Sequence, residues 1–576
     1  MIVPMTKYDF ILLSGDKDRF LEQLRETGIV DIRRSDKPVD EVSSGILSDI
    51  EAAKAEIKSI ENCSDRTVEE LKTRIADLGR KLSEASPWGE FDRERLEKFS
   101  VRFYTVSKKQ FDPAWKQVYP IEVINEDKYT VWFVTAGTGD TVPATQVPIP
   151  EKTPSGYRAE IDTLTSEMKA HVSALEARKP ELPALRKKIE SMYSDLSTYL
   201  AGVTAETAAD GSLVIFEGFA PTEDGQKLKE ALDGMDVYYI AQDATVEDNP
   251  PIKIHNNAYV RQFEPLTSMY GMPVYNEFDP TVFLSIFFLL FFAMCMGDVG
   301  YGILLVIIGF VMRKKAGSGG LADKWSLIVT LGAATIVVGF LFGGFFGVSL
   351  TEQTWIPEAL RNCMITGDVE IGGATYAKQM ILSLLVGVVH ICIALVVKAV
   401  WAVRQSGFKD SLSTLGWTLL IVGGVIGLSF GMLGVISETA MKWLLIGIAG
   451  VSALGIYIFN KWGRNPLVNI GAGLWDTYNM ASGLMSDVLS YIRLYALGLS
   501  GSMLGSTFNL IAGMVKGDDP TWQWIPFVLI VVLGHTLNLA LNCLSAFVHP
   551  LRLNFVEFFK NSGYMGEGAG YNPIRK

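Results

Sequence analysis

An arginine stands in the middle of a long apolar region, in the stretch DVLSYIRLYALGLSG from Asp487 to Gly501. A charge at the centre of a membrane helix costs about 2.5–3.5 kcal/mol on insertion scales, so Arg493 needs either a partner or a function. A guanidinium stays charged at physiological pH and therefore cannot carry a proton. It can hold a fixed positive charge that lowers the pKa of a nearby carboxyl group by about 1–3 units. A carboxylic acid that approaches Arg493 from lipid would then release its proton, and one that moves away would take a proton up.

A second polar stripe lies close to the end of the sequence. In lipid each of its side chains needs a polar partner or water. Polar contact between helices is the alternative explanation, but six such residues in register, ending in an arginine, favour a hydrated path. At 3.6 residues per turn, steps of three and four residues place on one helix face His535, Asn538, Asn542, Ser545, His549 and Arg552.

The segment around Arg493 carries a matching face, and small residues on it would let another helix or a moving surface approach closely. Asp487 and Tyr491 lie beside this face, four residues apart. The apolar segments contain few acids, notably Asp298, Asp476, Asp487 and Glu557, and none lies mid-span on an obvious moving element. We therefore expect the mobile acid to belong to a partner protein. The face itself consists of Gly483, Ser486, Ser490, Arg493 and Ser500.

The elements that position these residues are predicted membrane helices, each needing about 20 residues. The last two are too long for a perpendicular span and are predicted to be tilted. With the N-terminal region inside, the inner loops hold eight Lys and Arg and the outer loops four, as the positive-inside rule expects; merging the first two spans would reverse this bias. We predict a multi-pass cell-membrane protein with both termini cytoplasmic and eight spans near Pro280–Met296, Val299–Met312, Trp325–Leu350, Met380–Val403, Leu412–Ile436, Met441–Phe459, Gly471–Val515 and Trp524–Phe559.

The sequence before residue 265 has a different character. Two strand–helix–strand units, Tyr8–Ile32 and Leu213–Gln242, flank two Ala/Glu/Lys-rich helical stretches with a strand-bearing block between them. We predict a mixed fold: a soluble dumbbell of two small α/β lobes joined by an antiparallel coiled coil, then an all-α membrane domain over 265–576. An ordinary α/β domain with long helices is the alternative. The predicted boundaries are a near lobe at 1–41 and 205–264, a coiled coil at 42–86 and 152–204, and a far lobe at 87–151.

Composition excludes several classes of function. Residues 1–260 carry a net charge of −13 and residues 261–576 one of +2, so the soluble part is too acidic to favour nucleic acid. None of the five cysteines has metal-ligand spacing, and we expect neither a metal nor a cofactor. No GxxxxGK[ST] phosphate loop occurs, so the chain should not hydrolyse ATP by itself. We read no cleaved signal peptide at the N-terminus.

Several of these stretches resemble one family over nearly the whole chain. LSYIRLYALGLSG, GHTLNLALNCLSAFVHPLRLNFVEFF and the tail YMGEGAGYNPI are similar to the membrane domain of subunit a, called subunit I in prokaryotes, of V-type and A-type rotary ATPases. LVIFEGFAP resembles the pattern that closes the soluble half of this family. The modest length indicates a prokaryotic member.

The resemblance implies a mechanism. A ring of proteolipid c subunits, each with one buried carboxylate, would rotate past this chain between two offset aqueous half-channels for protons or sodium ions. Arg493 matches the essential arginine of the family and Arg552 a supporting one, while the soluble part resembles the arm that binds peripheral stalks. Asn542 and Gly501 stand where eukaryotic members carry a glutamate and a histidine. Half-channel candidates are therefore Asp487, Ser490, Tyr491, Ser500, His535, Asn538, Asn542, Ser545, His549 and Glu557.

A secondary ion-coupled transporter is the alternative function, because its binding sites also lie at the middle of the membrane. Such folds often contain paired repeats, and the eight predicted spans show no convincing internal repeat. A voltage sensor would need several arginines at regular spacing, whereas here they are isolated on two helices. Purification in mild detergent would separate the alternatives: a rotary-ATPase subunit should bring a proteolipid ring with it, and a transporter should not.

Overall fold

The computed structural model describes residues 1–35, 37–136, 142–235, 237–316, 320–354, 356–371, 373–460, 465–516 and 524–575. The chain forms two compact units, which are considered separately. The larger unit consists of Met1–Leu12, Ile29–Ile32 and Ile215–Pro573. The smaller unit consists of Leu13–Gly28, Arg33–Val214 and Ile574–Lys576.

The strands, in chain order, are β1 (Met5–Leu13), β2 (Asp31–Ile32), β3 (Val101–Ser107), β4 (Ile121–Glu126), β5 (Thr130–Ala136), β6 (Thr145–Val147), β7 (Glu206–Ala208), β8 (Leu213–Pro221), β9 (Tyr238–Asp243), β10 (Gly344–Phe345), β11 (Val348–Ser349), β12 (Asp368–Ile371) and β13 (Ala374–Ala377). The helices are α1 (Lys17–Thr27), α2 (Glu41–Asn62), α3 (Arg66–Ala85), α4 (Arg93–Lys98), α5 (Trp115–Val118), α6 (Pro154–Ala177), α7 (Leu182–Thr204), α8 (Gly225–Leu232), α9 (Glu264–Tyr270), α10 (Thr281–Met296), α11 (Val299–Ala316), α12 (Gly320–Phe342), α13 (Glu358–Arg361), α14 (Lys378–Asp410), α15 (Leu412–Thr418), α16 (Gly424–Met432), α17 (Glu438–Ala453), α18 (Pro466–Ser490), α19 (Ile492–Lys516), α20 (Trp524–Arg552) and α21 (Phe559–Ser562).

The smaller unit contains two pairs of long helices. Ile50 of α2 packs against Leu196 of α7, and Leu78 of α3 packs against Leu164 of α6. Apolar residues at three- and four-residue steps form these contacts, as the sequence predicts. A short 3₁₀ turn that contains Pro180 separates α6 from α7, since proline interrupts the hydrogen bonding of a helix. The dumbbell and the domain boundaries remain predictions.

A four-stranded antiparallel sheet lies between α3 and α6 in the sequence, with the order β4-β5-β3-β6. The predicted strands Val101–Val106 and Tyr129–Thr135 correspond to β3 and β5, which pair along their whole length. Phe133 and Val131 are buried at the centre of this sheet. Alternating burial along β5 reflects the two-residue period of a strand with one covered face.

The larger unit begins with a sheet in which β2, β8, β1 and β9 lie side by side in that order. Residues 564–573, here called the C-terminal tail, extend along this region. The Ile252 amide donates to the Ala569 carbonyl at 2.7 Å, and the Tyr571 amide donates to the Ile252 carbonyl at 3.0 Å. The Asn572 amide donates to Asp31 Oδ2 at 2.8 Å. The tail is therefore hydrogen-bonded to β2 and to the segment that follows β9.

The larger unit also contains the apolar helices. Helix α10 is apolar but short, and the predicted seventh span forms two helices, α18 and α19, which meet at Tyr491. The count of eight spans and the tilt of the last two remain predictions. Among the described residues, five helical stretches are long and apolar enough to cross a membrane: Lys324–Phe342, Lys378–Asp410, Leu412–Met432, Glu438–Ile458 and Trp524–Ser562.

In the stretch GDVGYG, the first two residues, Gly297 and Asp298, form a tight turn between α10 and α11. Gly297 has a φ of 53° and caps α10 in the left-handed conformation that glycine adopts without strain. The core around this turn is rich in aromatic rings, and Phe288, Phe291 and Phe558 are fully buried in it. This core packs α10 against α14, α19 and α20, and the last two helices carry most of the predicted site residues.

Candidate functional site

Helices α19 and α20 lie in close contact. A Cβ atom added to Gly501 of α19 would lie 2.5 Å from Asn542 Nδ2 of α20, closer than any side chain tolerates. Glycine at this point therefore lets the two helices approach. The approach places the polar stripe of α20 against α19, the helix that carries Arg493 near its start.

Five side chains from three helices form a continuous hydrogen-bonded chain, here called the polar network. Asn542 Nδ2 donates to Asn538 Oδ1 at 3.2 Å, and Asn538 Nδ2 donates to the Tyr301 hydroxyl at 2.7 Å. The Tyr301 oxygen lies 2.7 Å from His535 Nδ1, and His535 Nε2 lies 2.9 Å from Asn509 Oδ1. Since polar groups inside a membrane protein need partners, the network shows how α11, α19 and α20 satisfy one another.

One arrangement of donors and acceptors gives each side chain of the network a partner. Because the Tyr301 oxygen accepts from Asn538, its own O–H is free to donate to His535 Nδ1. His535 is then neutral and donates from Nε2 to Asn509, whose amide nitrogen donates to the Phe346 carbonyl at 2.7 Å. Such a chain of aligned donors can orient water along its length, but its asparagine amides do not ionise and pass no proton.

Asp298 is 1 % exposed and anchors the end of this network. Its Oδ1 accepts from the amides of Tyr301 at 3.1 Å and Phe346 at 2.9 Å, and its Oδ2 accepts from the Gly347 amide at 3.0 Å. One carboxylate thereby joins the start of α11 to the hairpin of β10 and β11. The position of the hairpin consequently depends on this side chain.

A cavity of about 470 Å³ opens beside the network. One wall is a face of α19 that runs from Tyr495 to Asn509. The hairpin of β10 and β11 and the end of α10 form another wall, and Glu352 and Gln379 add polar groups to it. The cavity therefore runs along α19 from the polar network to within two residues of Arg493, and its size allows several water molecules.

Arg493, His549 and Arg552 form a group here called the cationic cluster. Arg493 Nη1 is buried and has no hydrogen-bond partner among the described residues, and the same is true of His549 Nδ1. His549 and Arg552 lie three residues apart on α20, and α20 packs against α19, which carries Arg493 near its start. Within the described ranges, no carboxylate forms an ion pair with either arginine. Among the residues that the structure describes, these two permanent positive charges thus have no carboxylate at ion-pair distance.

Asp487 and Glu557 form an acid pair on the other side of the cationic cluster. Both are buried, at 6 % and 2 % exposure. Asp487 Oδ2 accepts from Asn561 at 2.8 Å, and Lys560 Nζ lies 3.7 Å from its other oxygen. The Ser490 hydroxyl donates to the Ser486 carbonyl at 3.1 Å, and Glu557 Oε2 is buried without a hydrogen-bond partner among the described residues.

The remaining predicted residues lie in different surroundings. Ser545 is half-buried on α20, between the polar network and His549, and Ser500 lies on the exposed face of α19. Tyr491 is fully buried, and its hydroxyl lies 2.8 Å from His390 Nδ1. Sequence reasoning missed Tyr301 and Asn509 as members of the network. Each is a polar residue in an apolar helix, which is a weak sign of a functional position. Its hydrogen-bond partners come from other helices and cannot be predicted from the local sequence.

The site therefore has three parts along α19 and α20: the polar network with its cavity, the cationic cluster, and the acid pair. Water can enter a polar cavity of this size, and a permanent charge between two polar regions blocks the direct passage of cations. No group of three or more His, Cys, Asp and Glu side chains that could hold a metal ion occurs in the part of the chain that the structure describes.

Comparison with known proteins gives consistent relatives. Residues 157–354 match the model of the V-type ATPase 116kDa subunit family. The A-type ATP synthase subunit I of Methanocaldococcus jannaschii is 31% identical over 460 residues, which cover 74% of this chain and 64% of that protein. The V-type ATP synthase subunit I of Borreliella burgdorferi is 24% identical over the full length of both chains. Subunit I 1 of the V-type ATP synthase of Treponema pallidum is 25% identical, also over both full lengths.

The family match covers most of α6, all of α7 and the first apolar helices, α10 to α12. The full-length relatives extend the similarity through α19 and α20. Apolar helices long enough to cross a bilayer agree with a membrane-embedded protein. The chain belongs to the V-type ATPase 116kDa subunit family, whose prokaryotic relatives are named subunit I.

Proposed function

We propose that this chain, a membrane-embedded subunit of a rotary ATPase, is the stationary part of the ion path. Relatives named as subunits of V-type and A-type ATP synthases support the coarser assignment. On this proposal the cationic cluster faces a rotating ring of proteolipid c subunits, each of which carries one carboxylate. The chain then supplies two aqueous half-channels and the charge that separates them, for protons or sodium ions.

The observation that carries the proposal is the Arg493 guanidinium, which has no counter-ion among the described residues. Arg493 is half-buried, and its Nη1 atom is buried without a partner among the described residues; for comparison, removing one partner of a fully buried ion pair costs about 3–5 kcal/mol. A carboxylate delivered by another subunit would remove this cost. Two unit charges 4 Å apart attract by about 4 kcal/mol at an effective dielectric constant of 20. That attraction corresponds to a fall of about three units in the pKa of the arriving carboxyl group.

The proposed path uses the three parts of the site in order. Ions enter from one side through the cavity beside α19 and pass the polar network, where Asn542 cannot relay a proton by ionising and water must fill the path. On the other side the acid pair, with Ser490, connects the ring to the opposite surface. Tyr491, Ser500, Ser545 and His549 are proposed to border one or other half-channel. A ring carboxyl group that leaves one half-channel must travel almost a full turn before it reaches the other.

The soluble part is proposed to bind peripheral stalk subunits and so to resist torque. Its paired helices α2–α7 and α3–α6 suit this role, because long packed helices resist bending. Both termini are proposed to lie in the cytoplasm, with the membrane part surrounded by lipid and by other subunits of the complex. ATP hydrolysis or synthesis would occur on those other subunits, and the proposal requires no cofactor on this chain.

The test is Arg493→Ala in complexes reconstituted into vesicles, with ion pumping and ATP hydrolysis measured on the same preparation. We expect pumping to be abolished while the assembled complex still hydrolyses ATP. Arg313→Ala, at the end of α11, removes an exposed arginine and is the matched control. Coupled pumping by the Arg493→Ala complex at the level of this control would refute the proposal.

A further inference from the structure

A tight turn joins α18 to α19, and Arg493 is part of it. The Tyr491 amide donates to the Val488 carbonyl at 3.2 Å, and the Leu494 amide donates to the Tyr491 carbonyl at 3.1 Å. Both bonds span three residues instead of the four of an α-helix, and α18 ends and α19 begins at this point. A 3₁₀ turn inside a helix often marks a functional site. Arg493 lies within the turn, so its direction depends on the turn.

The Tyr491 ring is held in a slot on α14. A Cβ atom added to Gly387 would lie 2.2 Å from Tyr491 Cγ, so glycine alone leaves room for the ring. One turn further along α14, His390 Nδ1 lies 2.8 Å from the Tyr491 hydroxyl. The edge of Phe291 packs against the same ring with centroids 5.8 Å apart. Tyr491 is therefore fixed by shape and by a directed hydrogen bond.

His390 is itself fixed on several sides. Its ring lies 4.1 Å from Phe287, 5.0 Å from Phe291 and 4.7 Å from Phe558, measured between centroids. Its Nε2 atom is buried without a hydrogen-bond partner among the described residues. An apolar ring would fill this aromatic pocket without leaving a polar atom unsatisfied. The histidine is therefore explained by the bond that it makes to Tyr491, and packing alone does not account for it.

We propose that Tyr491, held by Gly387 and His390, is a positioning residue that sets the direction of the Arg493 guanidinium. This inference rests on the proposed function of Arg493. Successive residues are about 120° apart in a 3₁₀ turn and about 100° apart in an α-helix, so relaxing three residues rotates the rest of α19 by about 60°. At the end of a long side chain such a rotation moves the guanidinium by several ångströms, enough to lose a carboxylate at hydrogen-bonding distance.

The test uses Tyr491→Phe, His390→Phe and the double variant in the reconstituted complex. Each change keeps an aromatic ring and removes the one hydrogen bond. The readouts are ions pumped per ATP hydrolysed and passive ion leak, both measured per assembled complex. We expect the pumping ratio to fall about two- to tenfold, the factor that corresponds to one buried hydrogen bond. The double variant should be no worse than the single ones, because both remove the same bond.

The matched control is Tyr457→Phe, which removes a tyrosine hydrogen bond of 3.0 Å to Thr477 elsewhere among the apolar helices. A merely structural role of Tyr491 would lower the yield of complex and leave the pumping ratio at the value of this control. That result would overturn the inference if Arg493→Ala still abolishes pumping. If instead Arg493→Ala pumps normally, the proposed function fails, and the two failures are thereby distinguished.

Discussion

The Asp298→Asn variant probes the structure of the cavity most directly. Asp298 accepts three backbone hydrogen bonds, and the bond to the Gly347 amide uses the oxygen Oδ2. The new asparagine can direct its side-chain oxygen toward the Tyr301 and Phe346 amides. Its NH₂ group then faces the Gly347 amide. Two donors then oppose each other, and the hairpin of β10 and β11 keeps only one of its two hydrogen bonds to this side chain.

The size of the effect follows from the bonds involved. A hydrogen bond to a charged group contributes about 1.5–3 kcal/mol, and a donor left unsatisfied in a buried position costs about 1–3 kcal/mol. Partial relaxation of the exposed hairpin limits the loss, so we expect about 2–4 kcal/mol in the free energy that holds the hairpin. Since 1.4 kcal/mol is a factor of ten, hairpin amides should exchange with solvent about 30- to 1,000-fold faster.

The assay is hydrogen–deuterium exchange of the purified protein, followed by mass spectrometry of peptides that contain residues 344–349. Glu352→Gln is the matched control, because Glu352 lines the same cavity but is exposed; a surface change of this kind should alter stability by less than about 0.5 kcal/mol. If hairpin exchange in Asp298→Asn equals exchange in the control, the carboxylate does not hold the hairpin and the reasoning is wrong.

Two further predictions concern other parts of the larger unit. The hydroxyl and amide of Thr245, together with Lys7, lower the pKa of Asp248 from 3.8 to about 2. This stabilisation is complete above about pH 4 and lost as the pH falls towards 2, so Asp248→Asn should make β1 exchange less pH-dependent in that window; an unchanged pH slope would contradict this. Gly501→Ala should lower the thermal unfolding midpoint by several degrees through overpacking against α20, whereas Gly513→Ala, with open space around it, should not; equal midpoints would disprove the contact.

The period of the α-helix correctly predicted that Asn538 and Asn542 lie on one face of α20. Because the pitch of a helix is fixed, three- and four-residue steps bring Asn538 and Asn542 together, and the structure joins them by a hydrogen bond. His535 and His549 lie on the same helix, as expected from the sequence. The helical period cannot predict which residues of other helices lie opposite this face. Tyr301 and Asn509 come from other helices, and no local pattern indicates their position.

The break at Tyr491 was not predictable from the sequence. Hydrophobicity continues through it, and neither proline nor glycine marks it, so the segment resembled one long span. The turn depends on the slot at Gly387 of α14, about a hundred residues earlier. A long-range contact of this kind overrides local helical preference. In the smaller unit, the break between α2 and α3 at Cys63 was missed for a related reason, although Asp65 caps α3 and offered a weak signal.

The C-terminal tail has a consequence for the order of biosynthesis. Its residues are made after every apolar helix, yet Asn572 binds Asp31 and Tyr571 pairs with Ile252, both of which were made long before. The N-terminal sheet can form its strands early, but this side of it stays uncovered until the whole membrane part has been synthesised. A chain whose helices failed to insert would present an unfinished lobe, which gives cellular quality control a single place to detect the fault.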